Sequence, residues 1–504
     1  MSKIVRMRGF LTFFPGVSPR AVRPIGVTCA AVAALLPAPP ARAVPAAPAT
    51  AAVPAATPVT AVGEPAGGAV PGRTRSLPLV PLSWTRAAGA APEQGVYRAA
   101  TGRFALVGVV WDDPGSALRG RARVRTRSAG TGRWTGWRDI ETHHADHGAD
   151  PGAAERAARP VRGGTAPLWV GASDGVEVRV RAEGTGGADG TGAGDRRAGA
   201  VRPAASSGLP SGLRLELVDP GGDAGGTADA GPGAKSGEPG EAAPGSGPAD
   251  DPPHTELDTE ASIAASGANS DITAFGATEI PELDRQATED EMTLLLGPAR
   301  TKPYIGPRPR IVTRRGWGAD ESLRERGFVY TKKIKAAFVH HTASGNTYTC
   351  AQAPSVIRGI YRYHVRSMGW RDIGYNFLAD KCGTLYEGRA GGVAKAVLGA
   401  HTLGFNTDSM GIAVIGTYGT ARPPGAAVTA VARLTAWKLG LYGVDPRAKT
   451  QLTSGGGNLF AKGRSVRLNV ISGHRDGYAT ECPGKRLYAE LGTARTGAAD
   501  YQGR

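Results

Sequence analysis

Two regions of the chain carry the hydrophobic patterning of folded domains. In the first, between Ser76 and Val218, short apolar runs, several alternating with polar residues, are separated by Gly, Pro and Asp clusters. A period of two is typical of half-buried β-strands. The runs are residues 104–111, 122–127, 134–137, 176–181 and 213–218. They predict an all-β, sandwich-like domain over 76–218, with insertions at 143–165 and 183–208.

In the second region, strand and helix patterns alternate after Ile311. The strand-like runs are 336–340, 376–379, 385–387 and 411–415. A helix is predicted to begin at Pro354, since a missing N–H costs nothing in the first turn, and further helices are predicted at 426–441 and 484–491. Alternation of this kind predicts an α/β domain over 301–495, with a mixed central sheet flanked by helices and a short tail at 496–504.

The rest of the chain has the composition of linkers. Residues 44–75 are almost all Ala, Pro, Val and Thr, and cannot bury enough apolar surface to offset their ordering entropy. Residues 219–300 are rich in Gly, Ala, Pro and acids, so like charges keep them extended. We therefore expect a disordered tether and a low-complexity acidic linker, whose apolar end (272–275, 292–296) docks on a neighbouring domain.

The first 43 residues have the pattern of an export signal. Basic residues precede a short apolar run from Ile25 to Leu36, and Ala41-Arg42-Ala43 follows. The run is too short to span a bilayer, and no other run reaches spanning length. We expect a secreted mature protein without a transmembrane segment, extracellular or associated with the cell wall. The alternative, a lipid anchor on Cys29, lacks the usual Leu-Ala-Gly run before the cysteine.

The charge is concentrated at the C-terminal end. The net charge is +16, and residues 301–504 contain 30 Lys and Arg against 12 Asp and Glu, a net +18. A basic domain attracts anionic partners. Secretion favours cell-wall carboxylates and phosphates over nucleic acid, and the alternative is a solvated basic surface that keeps the protein soluble.

Two motifs in the first region resemble binding sites, but the sequence around them favours a simpler interpretation. The histidine tract 143–147 lies in a polar insertion with no distant partner, so it is interpreted as an exposed loop and not as a metal site. The glycine-rich stretch 184–192 mimics a phosphate loop, but no helix pattern or Lys-Ser pair follows, so it is low-complexity sequence.

Three potential zinc ligands lie in well-separated C-terminal segments. They are a histidine of the His340-His341 pair, His474 and Cys482. Two imidazoles and one thiolate leave a tetrahedral zinc one ligand short, which is typical of a catalytic and not a structural zinc. Adjacent residues on a strand point to opposite faces, so only one of the pair can bind, and periodicity does not choose between them. A structural zinc needs a fourth ligand, for which the sequence offers no obvious candidate.

Motifs around these ligands occur in a specific order. They are Arg-Gly-Trp-Gly-Ala at 315–319, Gly-Trp-Arg-Asp-Ile-Gly-Tyr-Asn-Phe at 369–377, Glu-Gly-Arg at 387–389, Gly-Ala-His-Thr at 399–402 and Gly-Ile-Ala-Val-Ile-Gly at 411–416. This order resembles the peptidoglycan recognition protein family, whose enzymes are zinc N-acetylmuramoyl-L-alanine amidases. The resemblance covers roughly residues 311–491, and implies the fold of that family and peptidoglycan as the partner.

The resemblance also assigns catalytic roles. It selects His340 as the ligand of the histidine pair, and Tyr375 as the donor to the oxyanion of the tetrahedral intermediate. Thr480 takes the place of a lysine found in phage members, as in the eukaryotic-type enzymes, so it donates a hydrogen bond or positions water. The sequence does not identify a general acid.

By the same resemblance, five residues line the groove for the stem peptide and N-acetylmuramic acid. They are His364, Trp370, Arg389, His401 and Asn406. Arg389 is suited to pairing with a stem-peptide carboxylate. His364 lies on an apolar helix face, so a hydrogen-bonded core histidine is an equally good interpretation. Residues 390–400 depart from the family pattern, so the sequence does not predict the third residue of the stem peptide.

The remaining cysteines suggest a disulfide. With Cys29 removed by export and Cys482 assigned to zinc, Cys350 and Cys382 are the right number for one bridge in an oxidising compartment. The sequence as a whole predicts a secreted zinc amidase that cuts between the lactyl group of N-acetylmuramic acid and L-alanine. The alternative is a non-catalytic peptidoglycan-binding protein, although such family members usually lack the cysteine ligand. The oligomeric state is not predicted.

Overall fold

An antiparallel β-domain forms the N-terminal part of the protein. The computed structural model describes residues 72–82, 91–142, 146–183, 208–222, 259–298 and 303–504, so the predicted signal peptide lies outside the described residues. The strands are β1 Arg73–Pro78, β2 Val80–Pro81, β3 Glu93–Arg98, β4 Phe104–Trp111, β5 Gly120–Ser128, β6 Arg138–Ile140, β7 Gly163–Gly164, β8 Leu168–Ala182 and β9 Arg214–Asp219, with helix α1 at Ala154–Ala158. β1 includes residues 73–75, so the domain begins within the predicted tether.

The long strand β8 joins two groups of strands. Its first part pairs with β4, which also pairs with β9, and β9 pairs with β1. Its second part lies between β3 and β5. Alternate residues of these strands, including Val107, Val124, Val178 and Leu215, fill one common core. The predicted all-β domain is thus present, with every described pairing antiparallel.

Strand β4 is buried at all eight positions because both of its faces are covered. Val107, Val109 and Trp111 point into the core of the N-terminal domain. Leu106 and Val110 point the other way, into a second apolar cluster that includes Tyr361 and other residues of the C-terminal domain. The described residues of the two domains accordingly belong to one compact unit.

The C-terminal domain is a mixed sheet flanked by helices, as predicted. Its strands are β10 Glu279–Ile280, β11 Ile311–Val312, β12 Ala336–His341, β13 Phe377–Ala379, β14 Leu385–Glu387, β15 Ser409–Val414, β16 Lys449–Thr453, β17 Ser465–Asn469 and β18 Ile471–Gly473. The main sheet has the order β10-β11-β14-β13-β15-β12-β18, and β16 pairs with β17 separately. β12 is parallel to both of its neighbours, β15 and β18, and this places the ends of three strands side by side.

The helices cover this sheet on both sides. They are α2 Glu260–Gly267, α3 Arg285–Leu296, α4 Ala353–Arg362, α5 Gly425–Gly440, α6 Lys485–Ala489 and α7 Leu491–Gln502. α4 continues into a π-helical turn, Tyr363–Ser367, and begins after a short 3₁₀ turn at Cys350–Gln352. A disulfide joins Cys350 to Cys382, which ties the start of α4 to the turn after β13. No helix in the described part of the chain is long and apolar enough to cross a membrane.

The end of the predicted acidic linker is folded. Residues 259–298 form α2, β10 and α3, and Ile272 and Ile280 belong to the core of the C-terminal domain. Asn269 donates two hydrogen bonds, of 3.1 and 3.0 Å, to the buried carboxylate of Glu387. Of the apolar end predicted to dock, Ile272 is buried and Met292 and Leu295 pack on the core, but Phe275, Leu294 and Leu296 are exposed. The boundary at 301 is wrong, because the charge-rich composition gave no sign of the few apolar residues that reach the core.

The predicted tail is also part of the fold. Helix α7 runs through 496–502, buries Ala498 and Ala499, and packs on α5. Gln502 Nε2 donates to the carbonyl of Ala436 at 3.0 Å. No pattern in the sequence indicated this contact, because small residues form a close helix–helix surface without a run of large apolar side chains.

Candidate metal centre

Four potential metal ligands meet at the carboxyl ends of the parallel strands. They are His147, His340, His474 and Cys482, all buried, with ligand atoms that lie within 4.8 Å of one another. His340 lies near the end of β12, and His474 directly follows β18, which pairs with β12 at Val339 and Gly473. Cys482 lies in the loop that leads to α6. Two of the four ligands thus come from the carboxyl ends of adjacent strands, and a third comes from the loop before α6.

The fourth, His147, comes from the N-terminal domain. Its ring centroid lies 4.5 Å from that of His474 and 5.2 Å from that of His340. The interpretation of the tract 143–147 as an exposed loop is therefore wrong for its described end, since His147 is 7% exposed. The signal in the sequence was the histidine tract itself. The sequence could not show that His147 lies beside His340, which follows almost 200 residues later.

The two histidines of the pair point in opposite directions, as a strand requires. His340 Nδ1 lies 3.7 Å from the sulfur of Cys482. His341 lies outside the cluster: its Nδ1 accepts a hydrogen bond of 3.2 Å from the backbone of Tyr418, and its Nε2 lies 3.6 Å from a Glu141 carboxylate oxygen. The structure therefore brings His340, and not His341, to the other candidate ligands.

Contacts with residues outside the cluster orient the rings of His340 and His474, as such contacts do in metal sites. His340 Nε2 lies 3.3 Å from His401 Nδ1, on the side of the ring away from Cys482. His474 Nε2 donates to the carbonyl of Asp146 at 3.1 Å. His474 Nδ1 is buried without a hydrogen bond, and the nearest carboxylate oxygen of Asp146 is 3.9 Å away. A histidine that donates from one nitrogen and leaves the other without a hydrogen bond is typical of a metal ligand.

Burial sets the protonation of the cluster. It lowers the pKa of His340 well below its usual range, with a further contribution from His474, and lowers the pKa of His474 to about 3. Neutral imidazoles are the form that binds metals. Burial raises the pKa of the Cys482 thiol, and Asp146 adds to this. A cation is what would ionise such a thiol, so the donor set fits a divalent metal such as zinc.

Tyr375 and Thr480 flank the cluster in different ways. The buried ring of Tyr375 lies 5.5 Å from that of His340 and 5.7 Å from that of His147, centroid to centroid. Burial raises the pKa of its hydroxyl well above the usual value, with a further contribution from Cys482, so it is protonated at neutral pH. Thr480 Oγ1 accepts a hydrogen bond of 3.1 Å from the backbone of Cys482, and so shapes the loop that holds the sulfur.

Of the five predicted groove residues, His401 lies beside His340 and His364 lies beside Tyr375. His364 accepts a hydrogen bond from the backbone of Gly374 at 3.2 Å, and its ring lies 4.3 Å from that of Trp370. Arg389 is 5% exposed and pairs with Glu155 of helix α1. Asn406 donates from Nδ2 to the carbonyl of Gly148 at 2.9 Å. All five are buried, and residues of the N-terminal domain contact Arg389 and Asn406.

The sequence did not identify these N-terminal contacts. Asp146, Gly148, Asp150 and Glu155 all belong to the polar insertion 143–165, which carries no apolar pattern that would predict burial. Glu155 in particular is one acidic residue among many, and nothing near it in the chain marks it as a partner of Arg389.

Comparisons with known proteins match both domains. A family model described as N-acetylmuramoyl-L-alanine amidase matches residues 330–485, and one described as Rv3811 N-terminal galactose-binding domain-like matches residues 46–205. The chain is 32% identical over 183 residues to peptidoglycan-recognition protein SC2 of Drosophila simulans, a match that covers 36% of this chain and 85% of that protein.

Other relatives cover the same region. Peptidoglycan-recognition protein SC1a of Drosophila melanogaster is 30% identical over 205 residues, which cover 40% of this chain and 94% of that protein. Among solved structures, Drosophila PGRP-LB is 28% identical, with a TM-score of 0.29 and coverage of 36% of this chain and 92% of that chain.

Proposed function

Since the chain belongs to the peptidoglycan-recognition protein family, we propose that it is a secreted, zinc-dependent peptidoglycan amidase. It hydrolyses the amide bond between the lactyl group of N-acetylmuramic acid and the L-alanine of the stem peptide. The observation that supports this best is the buried donor set of His340, His474 and Cys482 at one edge of the sheet. The match to the amidase family model spans all three residues.

Zinc and Tyr375 divide the chemistry between them. A zinc ion held by His340, His474 and Cys482 would act as a Lewis acid on the scissile carbonyl and would lower the pKa of a water molecule towards neutrality. The Tyr375 hydroxyl, which burial keeps protonated, donates a hydrogen bond to the carbonyl oxygen as negative charge develops on it. Thr480 acts through the Cys482 loop, by holding the backbone that carries the sulfur.

The groove residues recognise the rest of the substrate. Arg389 presents a guanidinium that is held by hydrogen bonds to the carbonyls of Ile373 (2.9 Å) and Leu398 (3.3 Å), and it is suited to a stem-peptide carboxylate. His401 orients His340 through the 3.3 Å contact, so its contribution is to position the ligand as well as to line the groove. His364, Trp370 and Asn406 complete the wall.

A second candidate function is a peptidoglycan-binding protein without catalysis. The observation that favours it is His147, which makes a fourth protein donor in the cluster. Four protein ligands are typical of a structural zinc, whereas a catalytic zinc keeps one position open.

Mass spectrometry of muropeptides distinguishes the two functions. Full-length protein with zinc is incubated for a long period with purified peptidoglycan, and the soluble products are analysed. The amidase is expected to release stem peptides with a free N-terminal alanine and to leave the glycan chain intact. Cys482→Ser is the control, and should release none. Protein that sediments with peptidoglycan but generates no new N-terminal alanine would establish the binding function instead.

A further inference from the structure

One segment of the N-terminal domain lies across the whole candidate site. It runs from Asp146 to Glu155, and we call it the covering segment. Its first residues contact the metal cluster, its middle contacts the loop of Asn406, and Glu155 contacts Arg389. It therefore spans the same positions that the proposed substrate would occupy.

We propose that His147 is a fourth protein ligand of the metal, and that the covering segment holds the enzyme in a latent form by occupying its substrate groove. The proposal rests on the amidase function proposed above, because latency has meaning only for an active site. It goes further in assigning a metal ligand and an inhibitory role to the N-terminal domain.

The geometry around His147 is that of a bound ligand. Its Nδ1 donates to the carboxylate of Asp146 at 2.8 Å, and such a carboxylate–histidine pair is common behind metal ions. The same Asp146 accepts from His474 through its backbone carbonyl. One residue of the covering segment thus supports two ligands at once. With His147 in place, the fourth position of a tetrahedral site is filled by protein.

Glu155 occupies the position that the proposed mechanism assigns to a substrate carboxylate. Its two oxygens accept hydrogen bonds of 2.9 and 3.0 Å from the two terminal nitrogens of Arg389. Both side chains are buried, at 7% and 4% exposure, so this is a desolvated, bidentate pair and not a surface contact. A ligand with a carboxylate can bind Arg389 only after Glu155 has left.

The middle of the covering segment closes the groove by backbone contacts. Gly148 donates from its backbone N–H to the carbonyl of Ala400 at 3.1 Å, and Leu403 donates to the carbonyl of Asp146 at 3.0 Å. Asp150 accepts from the backbone of Gly404 at 2.8 Å and from Asn406 at 2.6 Å. The space left beside Trp370 and Met368 has a volume of about 20 Å³, room for roughly one water molecule.

The proposed opening moves the covering segment and leaves the domain that carries it in place. Its contacts with the C-terminal domain are hydrogen bonds, the Glu155–Arg389 ion pair and the ring contacts of His147, whereas β4 is held to α4 by a buried apolar cluster. A substrate that must first displace the segment binds with an affinity reduced by the fraction of open molecules. Release is therefore expected in the presence of a peptide that supplies both a carboxylate for Arg389 and a ligand for the metal.

The test compares full-length wild type with His147→Ala and Glu155→Gln, and uses Glu183→Gln as the control. Glu183 is exposed and belongs to the same domain. In the first measurement, each protein is loaded with Co²⁺, and its visible absorption is recorded while acetohydroxamate is added. We expect a spectral change in His147→Ala at concentrations that leave the wild type and the control unchanged. An equal spectral change in His147→Ala, the wild type and Glu183→Gln would refute the assignment of His147 as a fourth ligand.

The second measurement is the rate of muropeptide cleavage with zinc. His147→Ala and Glu155→Gln are expected to cleave at least about tenfold faster than the wild type, and Glu183→Gln at the wild-type rate. Equal rates in the wild type and both variants would overturn latency. Failure of every protein to cleave, together with the expected Co²⁺ result, would instead refute the amidase function and leave His147 as a ligand of a structural metal.

Discussion

The contact between the two domains depends on a glycine in the middle of β4. A Cβ atom at Gly108 would lie 2.6 Å from Cε2, Cζ and the hydroxyl oxygen of Tyr363, closer than real Cβ contacts allow. Tyr363 cannot turn away easily, because its buried hydroxyl donates to the carbonyl of Thr165 at 3.0 Å. Gly108→Ala should therefore force the sheet away from the π-helical turn, at the surface that anchors the covering segment.

The magnitude follows from a matched comparison with Gly136→Ala. Both changes add one methyl group and remove the backbone freedom of a glycine, which is worth about 0.5–1 kcal/mol. A Cβ at Gly136 meets nothing within 4 Å, so only Gly108→Ala overpacks. Overpacking costs roughly 1–3 kcal/mol, and we expect the free energy of unfolding of Gly108→Ala to be lower than that of the control by this amount.

Urea unfolding of the two full-length variants measures this difference. Gly108→Ala should also raise the rate of muropeptide cleavage, if loosening of the interface loosens the covering segment. Equal unfolding midpoints and slopes for Gly108→Ala and Gly136→Ala would contradict this prediction, because the close approach of β4 to Tyr363 would then make no contribution to stability.

Three further predictions concern the C-terminal domain. Cys482→Ser should lose bound zinc by elemental analysis, since serine is a poor zinc ligand at neutral pH, and undiminished zinc would contradict its role. Tyr375→Phe should lower turnover by about a hundredfold with unchanged zinc content, because its hydrogen bond forms as charge develops; unchanged turnover would exclude it as a donor. Burial, opposed by Arg314, raises the pKa of Glu387 to about 7, so its protonated form is favoured on folding. That stabilisation is complete below pH 4.5 and is lost as the pH rises through 7. Between pH 4.5 and 8, the free energy of unfolding of the wild type should therefore fall by up to roughly 3 kcal/mol relative to that of Glu387→Gln, as measured by urea unfolding. A constant difference would show that Glu387 titrates normally.

Local patterns predicted the elements that carry the three C-terminal ligands. The run 336–340 is a strand because both of its faces are buried, and the spacing of apolar residues after Pro354 gave α4. The adjacent histidines point to opposite faces because successive side chains alternate along any β-strand. The choice of His340 came from the family resemblance and not from periodicity.

Contacts between distant segments were beyond these patterns. His147 and Glu155 lie in a polar insertion, and their burial depends on partners in a different domain, which neither composition nor spacing encodes. The same holds for Ile272 and Ile280, two apolar residues in an acidic stretch that reach a core built by other elements. A sequence pattern predicts which face of an element is buried, but not which remote loop covers a site.

Zinc titration of the metal-free protein is the most direct test of zinc-dependent amidase activity. Full-length protein is stripped with a chelator, zinc is added back in steps, and the release of stem peptides with N-terminal alanine is measured at each step. No release is expected without zinc, and the rate should rise to a plateau at one zinc per chain. Release by the zinc-free protein, or no release at any zinc content by the wild type or by His147→Ala, would contradict this expectation.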